Sequence, residues 1–429
     1  MLQFRRLPIV ALSALSLLVL LPAAASAAPT LTSVAPASIV VGSTVTATGS
    51  VSPAAAGEQV RLEQQVDGAW VQVGAVATTS ATGAWTVSWS PRMGGPVRAT
   101  QLTGTGGSSA ELQVVVAAKV LGGARSAGAL YPFLGTRATW RVAPATYPDG
   151  PVRIELSIGG RAAGSVRARI HDGVVSSKLP TNGVGRFRAT LVLPDSGDLA
   201  GARGGTVSFT VRGARVGAGS NASWNRSLRA GLRFRGFFVP GGARYDGHMG
   251  DSVVAFHKAY GRPRTTTFEQ SDWARLSARA VAVRDRSAGL HIEIDKGRQI
   301  LMQVRGGKPI MIVHVSTGVT GNTPAGRWKV QWKGDWVPSL YGSLLYKSMS
   351  ITGAYAIHGY PSVPTSAASH GCVRVPMWIA ATLYRRSPVG TPIYIYERGS
   401  STRPSVGRSS STDVPELSGV DVAPWVDEA

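Results

Sequence analysis

Residues 357–376 read IHGYPSVPTSAASHGCVRVP. This stretch holds two of the chain's seven histidines, His358 and His370, and its only cysteine, Cys372. The thiolate is the reactive form of cysteine, and an ordinary thiol with a pKa of about 8.5 is only partly ionised at neutral pH. A catalytic cysteine therefore needs an imidazole or another positive group beside it. His370 stands two residues before Cys372, where an extended backbone points both side chains to one face, but the short tether constrains proton transfer. His358 lies on a separate strand-like segment and can approach from the side. Around this stretch the chain reads as short strands, at Ile292 to Ile294, Ile310 to Val315, Trp328 to Trp332 and Pro392 to Tyr396. One helix is predicted from Pro376, a residue suited to a first turn, through Trp378, Ile379 and Leu383.

Ser369-His370-Gly371-Cys372-Val373-Arg374, preceded by Ile357-His358-Gly359, resembles the signature of the L,D-transpeptidase catalytic domain, also called the YkuD domain. The resemblance spans about 288–397 and includes Pro324-Ala325-Gly326 before the Trp328 strand, where the family has Thr-Pro-x-Gly. It implies that Cys372 attacks a peptidoglycan stem peptide, that His358 takes the thiol proton, and that the carbonyl of Gly359 orients the imidazole. The backbone N–H groups of Gly371 and Cys372 are the expected donors to the negative oxygen, because glycine lets a carbonyl approach closely. Ser369, His370 and Arg374 are also family positions and are assigned to substrate binding. Arg374 is suited to gripping a carboxylate in two places, with a salt bridge inside the fold as the alternative, and a structural role is the alternative for His370. Residues 334–349, GDWVPSLYGSLLYKSM, stand where the family has a lid, and Trp336, Tyr341 and Tyr346 are candidates to line a groove for the stem peptide. Core packing is the other reading of those three rings. The ten residues from Gly359 to Ala368 are fewer than the family commonly has, which leaves the acceptor side open. Resolution of the thioester by the amine of a second stem gives a cross-link, whereas water gives an L,D-carboxypeptidase. No cofactor is implied. A zinc site of His358, His370 and Cys372 would lack a fourth ligand and the usual paired spacing.

The 429 residues are too many for one ordinary core, and plentiful glycine and proline favour short strands. The fold class expected is mainly β and multidomain. Residues 1–28 place Arg5 and Arg6 before a short apolar run that ends Ala-Ser-Ala, the pattern of a cleaved secretory signal peptide, and no retained transmembrane helix is expected. An exported chain with one cysteine forms no internal disulfide. The formal charge of +22 drops to +20 once Arg5 and Arg6 leave, so the mature surface attracts polyanions; outside the cell these are anionic wall polymers or membrane rather than nucleic acid.

Residues 30–117 alternate as half-buried strands, with Val45, Ala47, Gly49 and Trp85, Val87, Trp89 on single faces and a turn at Asp67-Gly68, and resemble an immunoglobulin-like β-sandwich. A second β-sandwich is expected over 118–217, from Val152, Ile154, Leu156, Ile158 and from Phe187, Ala189, Leu191, Leu193. The period becomes helical at Trp224, Leu228, Leu232 and at Val253, Phe256, Tyr260. Gly236-Phe237, Tyr245-Asp246 and Ala255-Phe256-His257-Lys258 resemble a small helical peptidoglycan-binding module over 220–280. The last 32 residues, 398–429, read as a disordered tail. The two sandwiches are expected to hold the helical module and the catalytic domain of 288–397 away from the membrane, the protein acting as a monomer. A non-catalytic wall-binding protein is the competing reading; the intact Ser-His-Gly-Cys speaks against it. A fragment of 284–400, if it folds alone, is expected to keep the chemistry.

Overall fold

The computed structural model describes residues 28–104 and 106–397. The expected signal peptide, but for Ala28, and the expected tail lie outside these residues. The chain is mainly β, with several sheets and four helices among the described residues. The described residues divide into two units, one of residues up to Leu121 with Val142–Asp149 and Val192–Arg203, the other of Gly122–Arg141, Gly150–Leu191 and the residues from Gly204 onward.

In the first unit, strand Val45–Ser50 lies antiparallel between Thr30–Ala35 and Ala84–Trp89. Val45, Ala47, Trp85, Val87 and Trp89 all point into the core, the face predicted by their alternation. Gly49 completes that face because a Cβ there would lie 1.9 Å from Thr30 O and 2.4 Å from the Trp85 ring. Asp67 and Gly68 both adopt positive φ, 50° and 80°, and form the two-residue hairpin turn between Gln59–Val66 and Ala69–Gln72.

The second unit begins with most of a seven-stranded sheet. It curls so that Trp140 Nε1, near one end of the strand order, donates to Gly205 O on the last strand at the other end at 2.5 Å, while Phe187 and Phe209 stack at 5.3 Å between neighbouring strands. Three helices follow. Helix α1 (Ala222–Phe234) starts at Asn221, whose side chain caps Trp224 N, and helix α2 (Gly247–Tyr260) starts at Asp246, which caps Met249 N. Gly261, at φ 65°, closes α2 in the left-handed conformation, and α3 (Asp272–Ala278) carries the buried Trp273.

The rest is two sheets and one helix. The first sheet runs in the order Lys308–His314, Ile300–Arg305, His291–Asp295, Pro392–Tyr396, Gly326–Lys329. The second runs Lys333–Pro338, Leu344–Thr352, Tyr355–Tyr360, Val373–Pro376, and α4 (Met377–Arg386) leaves its last strand directly. Ile292, Ile294, Met311 and Val313 of the first sheet pack on Met349, Ile351, Ile357 and Val373 of the second and on Ile379 and Leu383 of α4. A second core joins the helices to the opposite side of the first sheet, where Leu228, Leu232, Val253, Phe256 and Leu276 close over Ile300, Met302, Val304 and Ile312. Each such apolar side chain contributes about 1.5–3 kcal/mol on full burial, so the helices and the sheet stabilise one another.

Candidate active site

Strands Tyr355–Tyr360 and Val373–Pro376 are parallel neighbours, with His358 opposite Arg374 and Ile357 opposite Val373. Side chains alternate along a strand, so Ile357 and Val373 enter the core while His358, Tyr360 and Arg374 share the other face. Cys372 stands immediately before the second strand, two residues ahead of Arg374. Gly359 lies under α4: a Cβ there would come within 2.7 Å of Ala380 Cβ and 3.0 Å of the Tyr346 ring. A glycine beside the histidine lets the helix close on this strand.

His358 is buried, and its Nδ1 lies 3.0 Å from Gly359 O. A carbonyl only accepts, so Nδ1 carries the proton and Nε2 is left as the basic nitrogen. Burial pushes the His358 pKa down to about 4; the Gly359 bond pulls it partly back, and the Arg374 charge lowers it further. Cys372 is half-buried, with its Sγ 3.7 Å from Ala354 O. Burial raises its thiol pKa, against smaller opposing effects of the backbone at Ala356 and of Arg374. At neutral pH the two groups rest uncharged.

The turn before the nucleophile is held from inside. Ser369 Oγ donates to Cys372 O at 2.5 Å and accepts from Gly371 N at 3.1 Å. Two expectations change here. Ser369, expected at the substrate, is buried with its hydroxyl used within the turn, and the Gly371 N–H, expected to face the oxyanion, is turned to Ser369 Oγ. The Cys372 N–H is the backbone donor that remains. Gly371 itself has φ 134°, and a Cβ would lie 2.2 Å from the Tyr355 ring, so this position admits only glycine. Three residues not expected at the site take part. Tyr355 fills the space over Gly371, Asn322 Nδ2 donates to His370 O at 2.7 Å, and Thr323 Oγ1 donates to Gly371 O at 2.6 Å while accepting from Gly318 N at 2.9 Å. Thr323 begins the Thr-Pro-x-Gly stretch, so its signal was present in the sequence.

Arg374 has no acidic partner among the described residues. Its guanidinium lies over the Tyr360 ring at 4.3 Å and reaches Ala368 O at 3.3 Å. His370 is exposed and stacks on Tyr341 at 4.2 Å. Tyr341 sits in the turn of the hairpin formed by Lys333–Pro338 and Leu344–Thr352, the segment expected as a lid. Trp336 and Tyr341 are 45% and 68% exposed and are therefore not core rings. Tyr346 contacts Trp336 at 4.7 Å on one side and packs on the apolar core on the other.

The family model of the L,D-transpeptidase catalytic domain, YkuD, matches residues 289–395. Among solved structures, the chain is similar to the L,D-transpeptidase (residues 123–326) of Xylanimonas cellulosilytica, at 29% identity over 43% of this chain and 98% of that one, with a TM-score of 0.40. An L,D-transpeptidase of Stackebrandtia nassauensis is 19% identical over 44% of this chain and 99% of that one, at a TM-score of 0.30. The catalytic domain of the E. faecium L,D-transpeptidase is 22% identical over 26% and 100%, at 0.24. No curated protein matches the chain. Residues 289–395, the segment that carries His358 and Cys372, belong to the YkuD family of L,D-transpeptidase catalytic domains.

Proposed function

We propose that this chain is an exported enzyme that joins peptidoglycan stem peptides through a thioester on Cys372. The observation that supports the reading is that His358, its imidazole fixed through Nδ1 to Gly359 O, pairs with Arg374 on parallel strands, and Cys372 immediately precedes the second of them. Export is supported by the sequence of residues 1–28. Among the described residues no helix is long and apolar enough to cross a membrane.

The resting pair is neutral, so the proton moves as the bond forms. His358 Nε2 takes the thiol proton while Sγ adds to the carbonyl of the dibasic residue before the terminal D-Ala. The oxyanion is met by the Cys372 N–H. As the intermediate collapses, the C–N bond to D-Ala breaks, and the His358 imidazolium returns its proton to the departing amine, leaving the thioester. The side-chain amine of a second stem then attacks, giving its proton to His358, and Cys372 leaves as the thiol when that proton returns. General acid and base action of this kind contributes about 10²–10⁴ in rate. Arg374, which has no acidic partner among the described residues, is proposed to receive the carboxylate of the donor stem.

The test is release of D-Ala from a tetrapeptide stem by the full chain. Cys372→Ala should release none. His358→Ala should lose roughly 10²-fold or more, and His370→Gln far less, because His370 is exposed and lies outside the proton path. Equal losses at positions 358 and 370 would mean that base and structural histidine are exchanged.

A further inference from the structure

Helix α2 and the loop after it do more than fill a core. Lys258, fully buried on α2, donates from Nζ to Val315 O at 2.8 Å and lies 3.4 Å from His314 Nδ1. Asp251, two turns earlier, ties the same helix to two further places: its carboxylate lies 3.3 Å from His314 Nε2 and accepts from Trp378 Nε1 of α4 at 2.8 Å. Arg264, on the exposed loop after α2, donates from Nη1 to Thr365 O at 2.5 Å.

Val315 opens a run that carries the nucleophile's turn. Ser316 and Arg374 exchange backbone bonds at 3.1 and 2.9 Å. Thr317 O accepts from Ala368 N and Ser369 N, both at 3.0 Å, and Val319 N donates to Ser369 O at 2.9 Å. Ser316 Oγ donates to Ser366 O at 2.8 Å, beside the carbonyl that Arg264 holds. Two bonds from the helical segment thus grip both pieces of chain that flank Ser369-His370-Gly371-Cys372. Retaining a lysine in an apolar interior is costly, and burial pushes the Lys258 amine down to about 7, with Arg264 lowering it and Asp251 raising it. The bond from Lys258 Nζ to Val315 O offsets part of that cost.

We infer that Lys258 and Arg264 are positioning residues for acyl transfer, fixing segment 315–319 and loop 361–368 so that Cys372 and Arg374 are presented to the stem peptide in register. This rests on the proposed function, since it assigns the helical segment a part in that reaction in addition to any hold on the wall. Arg264 acts through Thr365, and Lys258 through Val315 and Ser316; neither touches the reacting atoms.

The test compares the full chain with Arg264→Gln, Arg264→Lys and Lys258→Met. Misplacement of reacting groups by about 1 Å costs up to about 10²-fold, so Arg264→Gln should lower kcat for D-Ala release about tenfold, with KM within about twofold and the melting temperature unchanged. A loosened turn uncovers the half-buried thiol, so iodoacetamide should alkylate Cys372 faster in that variant. Arg264→Lys, which restores a donor to Thr365 O, should recover both values. Lys258→Met should act in the same direction; Arg264 is exposed, so its variants keep the question open to experiment even if Lys258→Met does not fold. Unchanged kcat and unchanged alkylation in Arg264→Gln would overturn the inference. Failure of the parent chain to release D-Ala would instead sink the proposed function, while the alkylation rates, which need no substrate, would still decide the positioning role.

Discussion

In the proposed reaction His358 and Cys372 start as a neutral pair, because burial lowers the imidazole pKa and raises that of the thiol, and this distinguishes them from a thiolate–imidazolium pair. With the imidazole held at about 4, the base is competent over nearly the whole physiological range, and the acid limb of kcat/KM against pH should fall near 4 rather than 6.5. Because burial raises the thiol pKa, the rate of Cys372 alkylation should keep climbing on the alkaline side of 8.5, with no plateau reaching down to acid pH. A plateau from pH 5 upward would reveal an ion pair and contradict this assignment. The same shift affects stability. Between about 4 and the ordinary 6.5 the unfolded chain binds a proton that folded His358 refuses, so the contribution is full above 6.5 and is lost as pH falls toward 4, by up to roughly 3 kcal/mol. Urea melts of the parent and His358→Gln across pH 4–7 should differ in slope accordingly. Gly371→Ala presents a different problem, since its new methyl would meet the Tyr355 ring 2.2 Å away at φ 134°. Strain of this kind costs about 1–3 kcal/mol, and D-Ala release by that variant should fall to near the background of Cys372→Ala.

At the scale of elements, the part of the site lying on strands was legible in the sequence and the part made by turns was not. The sequence put His358 on a strand-like segment separate from that of Cys372, and the structure pairs that segment with the strand that follows Cys372, His358 opposite Arg374. The Gly371 N–H could not be assigned in this way, because whether it faces a substrate or Ser369 Oγ depends on the turn's torsions. Nor does sequence spacing bring Thr323 to Gly371, 48 residues later, where one hydroxyl serves two buried backbone groups. Thr323→Val keeps the shape and removes both bonds, leaving a buried carbonyl and N–H unpaired. It should cost about 2–4 kcal/mol in stability and slow acyl transfer, as read by denaturant midpoint and D-Ala release. In the hairpin of Lys333–Pro338 and Leu344–Thr352, ring residues in a β domain suggest core, but Trp336 and Tyr341 face solvent because they stand on the outer strand and at its turn.

At the scale of the molecule, helical periodicity marked two apolar faces, Trp224, Leu228, Leu232 and Val253, Phe256, Tyr260, without telling what they cover. They cover Ile300, Met302, Val304 and Ile312 of the catalytic sheet. Cutting the chain at 284 would expose those four side chains, so a fragment of 284–400 should fold poorly while one of 212–400, which keeps Val216 and the Ala214 acceptor of Trp273, folds cooperatively, a difference that circular-dichroism melts would show. Phe256→Ala in the full chain should cost about 3–5 kcal/mol for the same reason. The central claim, that Cys372 carries the acyl group, is tested most directly by the intact mass of the full chain after rapid mixing with a tetrapeptide stem in the absence of an acceptor amine. The parent should gain the mass of the stem less its terminal D-Ala, on the peptide that contains Cys372, and lose it when an acceptor stem is added. An unmodified mass during continuing D-Ala release, or the same adduct in Cys372→Ala, would contradict the thioester.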